Sequence, residues 1–252
     1  MQNEEKKQGA QIICGRNPVL EAIRSGRELD RLLIAHGVSG GSITAIVAKC
    51  KAKGILIKEV SPLKLEEYCG GANHQGVAVM TAAHTYSTVE EILAYAQEKG
   101  EDPFLVIGDE IEDPHNLGAM IRTAEACGVH GIIIPKRRSA SLNATVAKAA
   151  SGALEYMKVA RVTNLATVIE DLKQKGIWVI GADMDGEDYT EAAFDFPCAL
   201  VIGNEGRGIG ALIAKKCDKM VRLPMCGKIN SLNASVAAGI LMYEVVRKRG
   251  KA

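Results

Sequence analysis

The sequence predicts an α/β protein in which a small mixed α/β domain precedes a larger domain built on a parallel sheet. Three observations predict it. From Phe104 onward, short apolar runs alternate with segments of helical period, as expected of strands joined by crossover helices. Before Thr85 both element types occur within one short stretch. Between them, residues 85–102 hold five acidic side chains and one basic. The domains are therefore read as 1–84 and 103–252, joined by an acidic linker over 85–102.

In the first domain, residues 18–24 read as a helix, with Pro18 tolerated in its first turn. Residues 31–35 form a short apolar strand, and 43–53 a helix closed by Gly54. A strand over 55–60, a helix over 62–68 and a strand over 76–81 follow. The linker carries a short helix over 89–97. In the second domain, strand 104–109 leads to helix 117–127, which ends at Gly128. Strand 131–135, helix 142–150 and strand 156–162 come next. Helix 165–175 has Asn164 as its N-cap and Gly176 past its end. Strand 178–183 opens into a polar loop over 184–197. Strand 198–203, helix 209–216, strand 220–223 and a long helix over 232–248 complete the chain. Such alternation means a parallel sheet covered on both faces.

Composition sets the outer limits. The 252 residues are 47% hydrophobic and 24% charged, which supplies a core and excludes bulk disorder. No uncharged apolar run approaches the roughly 20 residues of a membrane span. The opening MQNEEKKQGAQI has no signal-peptide core, so a soluble, cytoplasmic protein with no membrane partner is expected. Seven cysteines, with no C-x-x-C pair, fit reduced thiols, and no metal site is expected. Net charge is only +1, but residues 1–84 carry 11 basic and 8 acidic side chains and 103–252 carry 19 and 17. Two mildly basic domains thus flank the acidic segment. Arg16, Arg24, Arg27 and Arg31 of the first fit phosphate contacts, which position a nucleic acid more than they specify it.

In open parallel sheets ligands bind beyond the carboxyl ends of strands. Three loops there are unusual. Asp113-Pro114-His115-Asn116-Leu117-Gly118 makes a turn in which Asn116 caps the next helix, with Arg122 in its second turn beside an anion-favouring helix mouth. Gly203-Asn204-Glu205-Gly206-Arg207-Gly208-Ile209-Gly210 lets a ligand lie against backbone. It is not a P-loop, because no Gly-Lys-Ser/Thr follows. Its Gly206-x-Gly208-x-x-Ala211 matches a relaxed dinucleotide fingerprint, but lacks the acidic residue about 20 positions later and follows the wrong strand. Glu205 has no packing role there and reads as an anchor for a catalytic group or for the loop. In the third loop, Leu223 to Ser235, the residues Ser231, Asn233 and Ser235 crowd a helix start where one cap would suffice. His74, His115 and His130 show no metal-like partners and no Ser-His-Asp order.

Together, Asn116-x-Gly118-x-x-x-Arg122-Thr123-Ala124, Gly203-x-Glu205-Gly206-x-Gly208 and Pro224-Met225-x-Gly227-x-x-x-Ser231-Leu232-Asn233-x-Ser235 resemble the three signature motifs of the SpoU/TrmH branch of the SPOUT RNA methyltransferases. Gly15-x-Asn17-Pro18-Val19 and His74-Gln75-Gly76 resemble that family's substrate-binding module. Ala234 stands where valine is usual. The likeness is greatest to the bacterial 23S ribosomal RNA guanosine 2′-O-ribose methyltransferases.

The resemblance implies a trefoil-knotted methyltransferase domain behind a small RNA-binding domain. It implies a homodimer with shared active sites, ribosomal RNA as substrate, and S-adenosylmethionine as donor, leaving S-adenosylhomocysteine. Asn116, Arg122, Glu205, Ser231 and Asn233 match the catalytic positions. Ala182, Ile202, Gly203, Leu223 and Leu232 match the cofactor positions. Arg122 would either be prepared as a base by the substrate phosphate or bind that phosphate and orient the hydroxyl. Glu205 would fix the glycine loop and pair with Arg122 or its neighbours. Alternatives are 2′-O-methylation of transfer RNA or of another ribosomal site, including resistance methylation, and a non-catalytic ribosome-assembly factor that binds RNA.

Overall fold

The computed structural model describes residues 12–25, 29–81, 84–228 and 231–250, in two compact units. The first unit runs β1 (Ile12–Cys14), α1 (Arg16–Arg24), β2 (Leu29–Ala35), α2 (Gly41–Ala52), β3 (Leu56–Val60), α3 (Pro62–Cys69) and β4 (Val77–Thr81). Its sheet has the order β1-β4-β2-β3, with β2 and β3 parallel and the other neighbours antiparallel. Side chains alternate across a strand, and β2 uses both faces. Leu32 and Ile34 pack with Val19 and Ile23 of α1 and Ile43 and Ile46 of α2. Leu33 and Ala35 pack with Leu65 and Cys69 of α3. This unit also takes in residues 141–144, where Ser141 Oγ donates to the buried Asp30 carboxylate at 2.9 Å.

The second unit runs α4 (Val89–Glu98), β5 (Phe104–Gly108), α5 (Pro114–Ala126), β6 (Gly131–Pro135), α6 (Ala144–Ala149), β7 (Val159–Val162), α7 (Leu165–Gln174), β8 (Trp178–Asp188), β9 (Cys198–Ile202), α8 (Ala211–Ala214), β10 (Lys219–Arg222) and α9 (Ala234–Lys248). The acidic segment expected to link the domains belongs to this unit from Tyr86 on. Thr88 and Glu91 form a reciprocal capping box at the start of α4, and Ile92 and Ala96, four residues apart on one face, are fully buried. Its acidity lies on the solvent face of a packed helix.

Six strands pair in the order β10-β8-β9-β5-β6-β7, all parallel. One face buries Leu105, Ile107, Ile133, Val179 and Val201 against Ile92, Leu165, Ile169 and Leu172. On the other, α5 packs against α9 and β6, and α9 against β9. Strands β5 and β9 are hydrogen-bonded neighbours, with Gly108 opposite Ile202. The chain leaves β5 toward β6, on the side away from β9. This is the topological switch point, where loops part and leave a crevice. Two of the three unusual loops begin there.

Some elements differ from the sequence reading. β8 continues to Asp188 through part of the expected polar loop, because Val221 and Arg222 of β10 pair with Glu187 and Asp188 beyond a register shift. α6 and α8 are shorter than expected, and β7 begins at Val159 after a 3-10 turn over Ala153–Glu155. Among the described residues no helix is long and apolar enough to cross a membrane.

Candidate active site

The N-cap of α5 is Asp113, not Asn116: the Asp113 side chain accepts from the His115 N–H at 2.9 Å, and Pro114 takes the first turn. Asn116 therefore lies inside the helix with its amide free, and it is buried. Asn116 Nδ2 donates to Glu205 Oε1 at 2.6 Å. Asn116 Oδ1 accepts from Asn233 Nδ2 at 2.9 Å. The same Glu205 oxygen accepts from Asn233 Nδ2 at 2.5 Å and from the Ala234 N–H at 3.4 Å. One carboxylate oxygen thus gathers three loops, across sequence separations of 89 residues to Asn116 and 28 to Asn233. The other end of Asn233 caps α9, accepting from the Ser235 N–H at 3.0 Å, Ser235 Oγ at 2.6 Å and the Val236 N–H at 3.3 Å.

The glycine loop is folded tightly on itself and tied to the end of β5. A side chain on Gly203 would overlap the Gly208–Ile209 peptide, so only glycine fits. Asn204 and Gly208 exchange backbone hydrogen bonds at 3.0 and 2.8 Å. Asn204 Oδ1 accepts from the Gly206 N–H at 3.0 Å, and its Nδ2 donates to the Glu110 carbonyl at 3.0 Å. The Gly210 N–H donates to Asp109 Oδ2 at 2.8 Å. Burial pushes the Asp109 carboxyl above its ordinary range, and the Gly210 N–H partly offsets this. Arg207 pairs with Glu110 at 3.0 Å and Glu112 at 2.9 Å. The sequence reading singled out neither Asp109 nor Asn204. An asparagine between glycines is a turn former, and an aspartate at a strand end beside a switch point is a ready acceptor for loop N–H groups.

A cavity of about 360 Å³ lies along this loop. All five expected cofactor positions, Ala182, Ile202, Gly203, Leu223 and Leu232, line it, as do Glu205 and Ser231. Apolar walls and exposed loop backbone suit a ligand with a flat apolar part and polar edges. Gly208, where the nearest atom to an added Cβ is Asp183 Oδ2 at 4.0 Å, leaves room for such a ligand to approach the main chain.

Arg122 does not join the cluster. It lies six residues beyond Asn116 on α5, and at about 100° per residue that turns it roughly 120° away. Its guanidinium is exposed and Nη1 donates to Ser151 Oγ at 3.4 Å. Glu205, expected to fix the glycine loop and pair with Arg122 or its neighbours, pairs with Asn116 of the same helix and with Asn233. Beside Arg122, Ala119 and Thr123 of α5 and Gly239, Ile240 and Tyr243 of α9 line an open groove of about 640 Å³.

Two histidines brace the backbone. His130 Nδ1 accepts from the Phe104 N–H at 3.0 Å, and His74 Nδ1 accepts from the Gly76 N–H at 3.0 Å. Among the described residues no three His, Cys, Asp or Glu side chains are grouped to hold a metal. In the first unit Arg24 pairs with Glu21 and Arg31 with Asp30, while Arg27 lies outside the described residues. Arg16 joins separate loops, donating from Nε to the Gln75 carbonyl at 3.2 Å and from Nη1 to Ser42 Oγ at 3.0 Å.

Comparison with known proteins adds to this geometry. Residues 103–243 match the SpoU rRNA Methylase family, and residues 12–87 match the family described as RNA 2′-O ribose methyltransferase substrate binding. YacO of Bacillus subtilis (strain 168), named as a TrmH family tRNA/rRNA methyltransferase, is 49% identical over 238 residues, covering 94% of this chain and 95% of its own. The SpoU methyltransferase AviRb of Streptomyces viridochromogenes, solved in complex with AdoMet, aligns with TM-score 0.61 and 25% identity over 99% of this chain and 95% of that one. The AdoMet-bound rRNA methyltransferase of Sinorhizobium meliloti aligns with TM-score 0.57 and 25% identity over 94% of this chain and 87% of that one.

Proposed function

The chain belongs to the SpoU rRNA methylase family, and from that premise we propose that it transfers a methyl group to the ribose 2′-oxygen of a guanosine in 23S ribosomal RNA. The chain is an S-adenosylmethionine-dependent RNA 2′-O-ribose methyltransferase of the TrmH type, with a substrate-binding domain before a knotted SPOUT methylase domain. Ribosomal RNA is favoured over transfer RNA because the Sinorhizobium rRNA enzyme aligns over 94% of this chain, first unit included. In that unit Arg16, tied to Gln75 and Ser42, offers its guanidinium edge to the RNA backbone.

The observation that carries the reading is the meeting of Asn116, Glu205 and Asn233 on one carboxylate oxygen, at the rim of the cavity. S-adenosylmethionine, when bound, supplies a methyl group already activated on a sulfonium. What remains for the chain is alignment and the handling of one proton. Ala182, Ile202, Gly203, Leu223 and Leu232 would hold the cofactor, mainly through backbone groups. Glu205 keeps the Asn116 and Asn233 amides rigid, and Ser231 at the cavity wall orients the acceptor nucleotide. Arg122 binds the phosphate beside the acceptor ribose, since a guanidinium offers five donors and no acceptor.

The position of Arg122 supports a homodimer in which each site is completed by the other subunit. Its side chain is directed away from Asn116 on the same helix. The adjoining groove has an apolar stretch, along which Val236, Ile240 and Tyr243 of α9 are exposed beside the Glu244–Arg247 ion pair.

The experiment is to map 2′-O-methyl groups in ribosomal and transfer RNA from cells with and without the gene. A single 23S guanosine that loses its methyl group is expected. Loss at a transfer RNA position instead would move the substrate to the transfer RNA class, and no lost methyl group in any RNA would favour an assembly factor.

A further inference from the structure

Three charged side chains line the cofactor cavity: Asp183, Glu205 and Arg207. Arg207 is neutralised by the carboxylates of Glu110 and Glu112. Glu205 is tied by three N–H donors, from Asn116, Asn233 and Ala234, to one of its oxygens. Asp183, on β8, is different. Its Oδ1 accepts from the Asp185 N–H at 3.2 Å, which turns the backbone. Its Oδ2 has no hydrogen-bond or ion-pair partner among the described residues, and faces the glycine loop 4.0 Å from where a Cβ on Gly208 would stand. Beside the hydrogen-bonded Glu205, the cavity wall therefore carries in the half-buried Asp183 a carboxylate oxygen that no described residue pairs.

We propose that Asp183 makes the cavity selective for a cationic methyl donor over the neutral thioether that transfer leaves behind. This rests on the methyltransferase reading. In the reaction the sulfonium S–CH₃ bond breaks, an O–CH₃ bond forms, and the hydroxyl proton leaves to solvent. The ligand keeps its shape apart from one methyl group, but its positive charge on sulfur disappears. Shape alone discriminates poorly here, because the product is the smaller ligand and fits wherever the donor does. Charge discriminates directly. A carboxylate in a partly desolvated wall attracts the donor and is indifferent to the product's sulfur. The product is then released more readily than the donor.

The test is calorimetric titration of the full chain with S-adenosylmethionine, S-adenosylhomocysteine and sinefungin, which carries an ammonium where the donor carries its sulfonium. Asp183→Asn keeps the Oδ1 acceptor and removes the charge. Asp183→Ser checks that the added amide is not itself responsible, and melting curves check folding. Both variants should bind the donor and sinefungin about fivefold more weakly, with S-adenosylhomocysteine changed by less than about twofold. In the unsubstituted protein the preference for the donor should shrink as salt rises, and in the variants it should not. Equal weakening of donor and product would mean that Asp183 holds a group common to both, and would overturn the proposal. So would unchanged affinities. If the unsubstituted protein bound none of the three ligands, the methyltransferase reading would fall with it, a result distinct from equal weakening.

Discussion

Glu205 is the residue on which the candidate site turns. Its Oε1 is the common acceptor for two side-chain amides and one backbone N–H. Hydrogen bonds to a charged acceptor contribute about 1.5–3 kcal/mol each, and unpaired polar groups cost comparable amounts when buried. Removing the carboxylate frees the Asn116 and Asn233 amides together. Glu205→Ala should therefore lower single-turnover methyl transfer by about 100-fold, an effect of roughly 2.7 kcal/mol on the barrier. Cofactor affinity should change much less, because most of the cavity wall is backbone and apolar side chain. Rapid-quench transfer of labelled methyl to RNA, beside equilibrium cofactor titration, separates the two. A variant that transfers methyl at the original rate would leave Glu205 a loop brace without a part in catalysis.

At the scale of elements, the end of β5 does more than lead into α5. Asp109 holds the Gly210 N–H, while the carbonyl of Glu110 holds Asn204, so adjoining residues fasten both ends of the glycine loop. Burial raises the Asp109 carboxyl above 3.8 in the folded chain. An acid raised in this way binds more protons folded than unfolded, so stability falls as pH rises from about 3.8 through the folded value. Asp109→Asn keeps an oxygen for Gly210 and removes the charge. The melting temperature of the variant relative to the parent should therefore increase from pH 4 to about pH 7. A constant difference across that range would mean that the carboxylate is not penalised by burial.

The same stretch shows what is legible in a sequence. Apolar runs such as Phe104–Gly108 and Gly131–Pro135 stand out because a strand buried on both faces needs no alternation. Asn164 at α7 is readable because one side chain meets its own backbone, accepting from Ala166 and Thr167. Asn116 misleads for the opposite reason. It has the right chemistry for a cap, but Asp113 three residues earlier takes that role, and the amide is left for a partner 89 residues away. No local pattern encodes such a meeting, nor the strand order that creates it. β1 escapes because three apolar residues carry no measurable period, and the packed nature of α4 because its charged face dominates composition.

At the scale of the whole molecule, the proposed division of each site between two chains makes a quantitative claim. If Glu205 and Asn116 of one subunit work with Arg122 of the other, the damage from Arg122→Ala and from Glu205→Ala falls in different places. Each homodimeric variant has two incomplete sites. When the two variants are unfolded together and reassembled, random pairing makes half of the dimers mixed. A mixed dimer has one site with neither lesion and one with both. The mixture should therefore recover about a quarter of the parent's activity, from homodimers that are each nearly inactive. If both residues instead served one subunit's site, every site in every dimer would carry a lesion and no activity would return. A companion substitution addresses the association itself. Tyr243→Asp puts a charge on the exposed apolar edge of α9, which should yield monomers by sedimentation that still bind cofactor but transfer no methyl group. Recovery in the mixed sample together with loss in the monomer would establish that Arg122 acts across the dimer axis, and that its departure from the Asn116 face is how a single helix serves two sites.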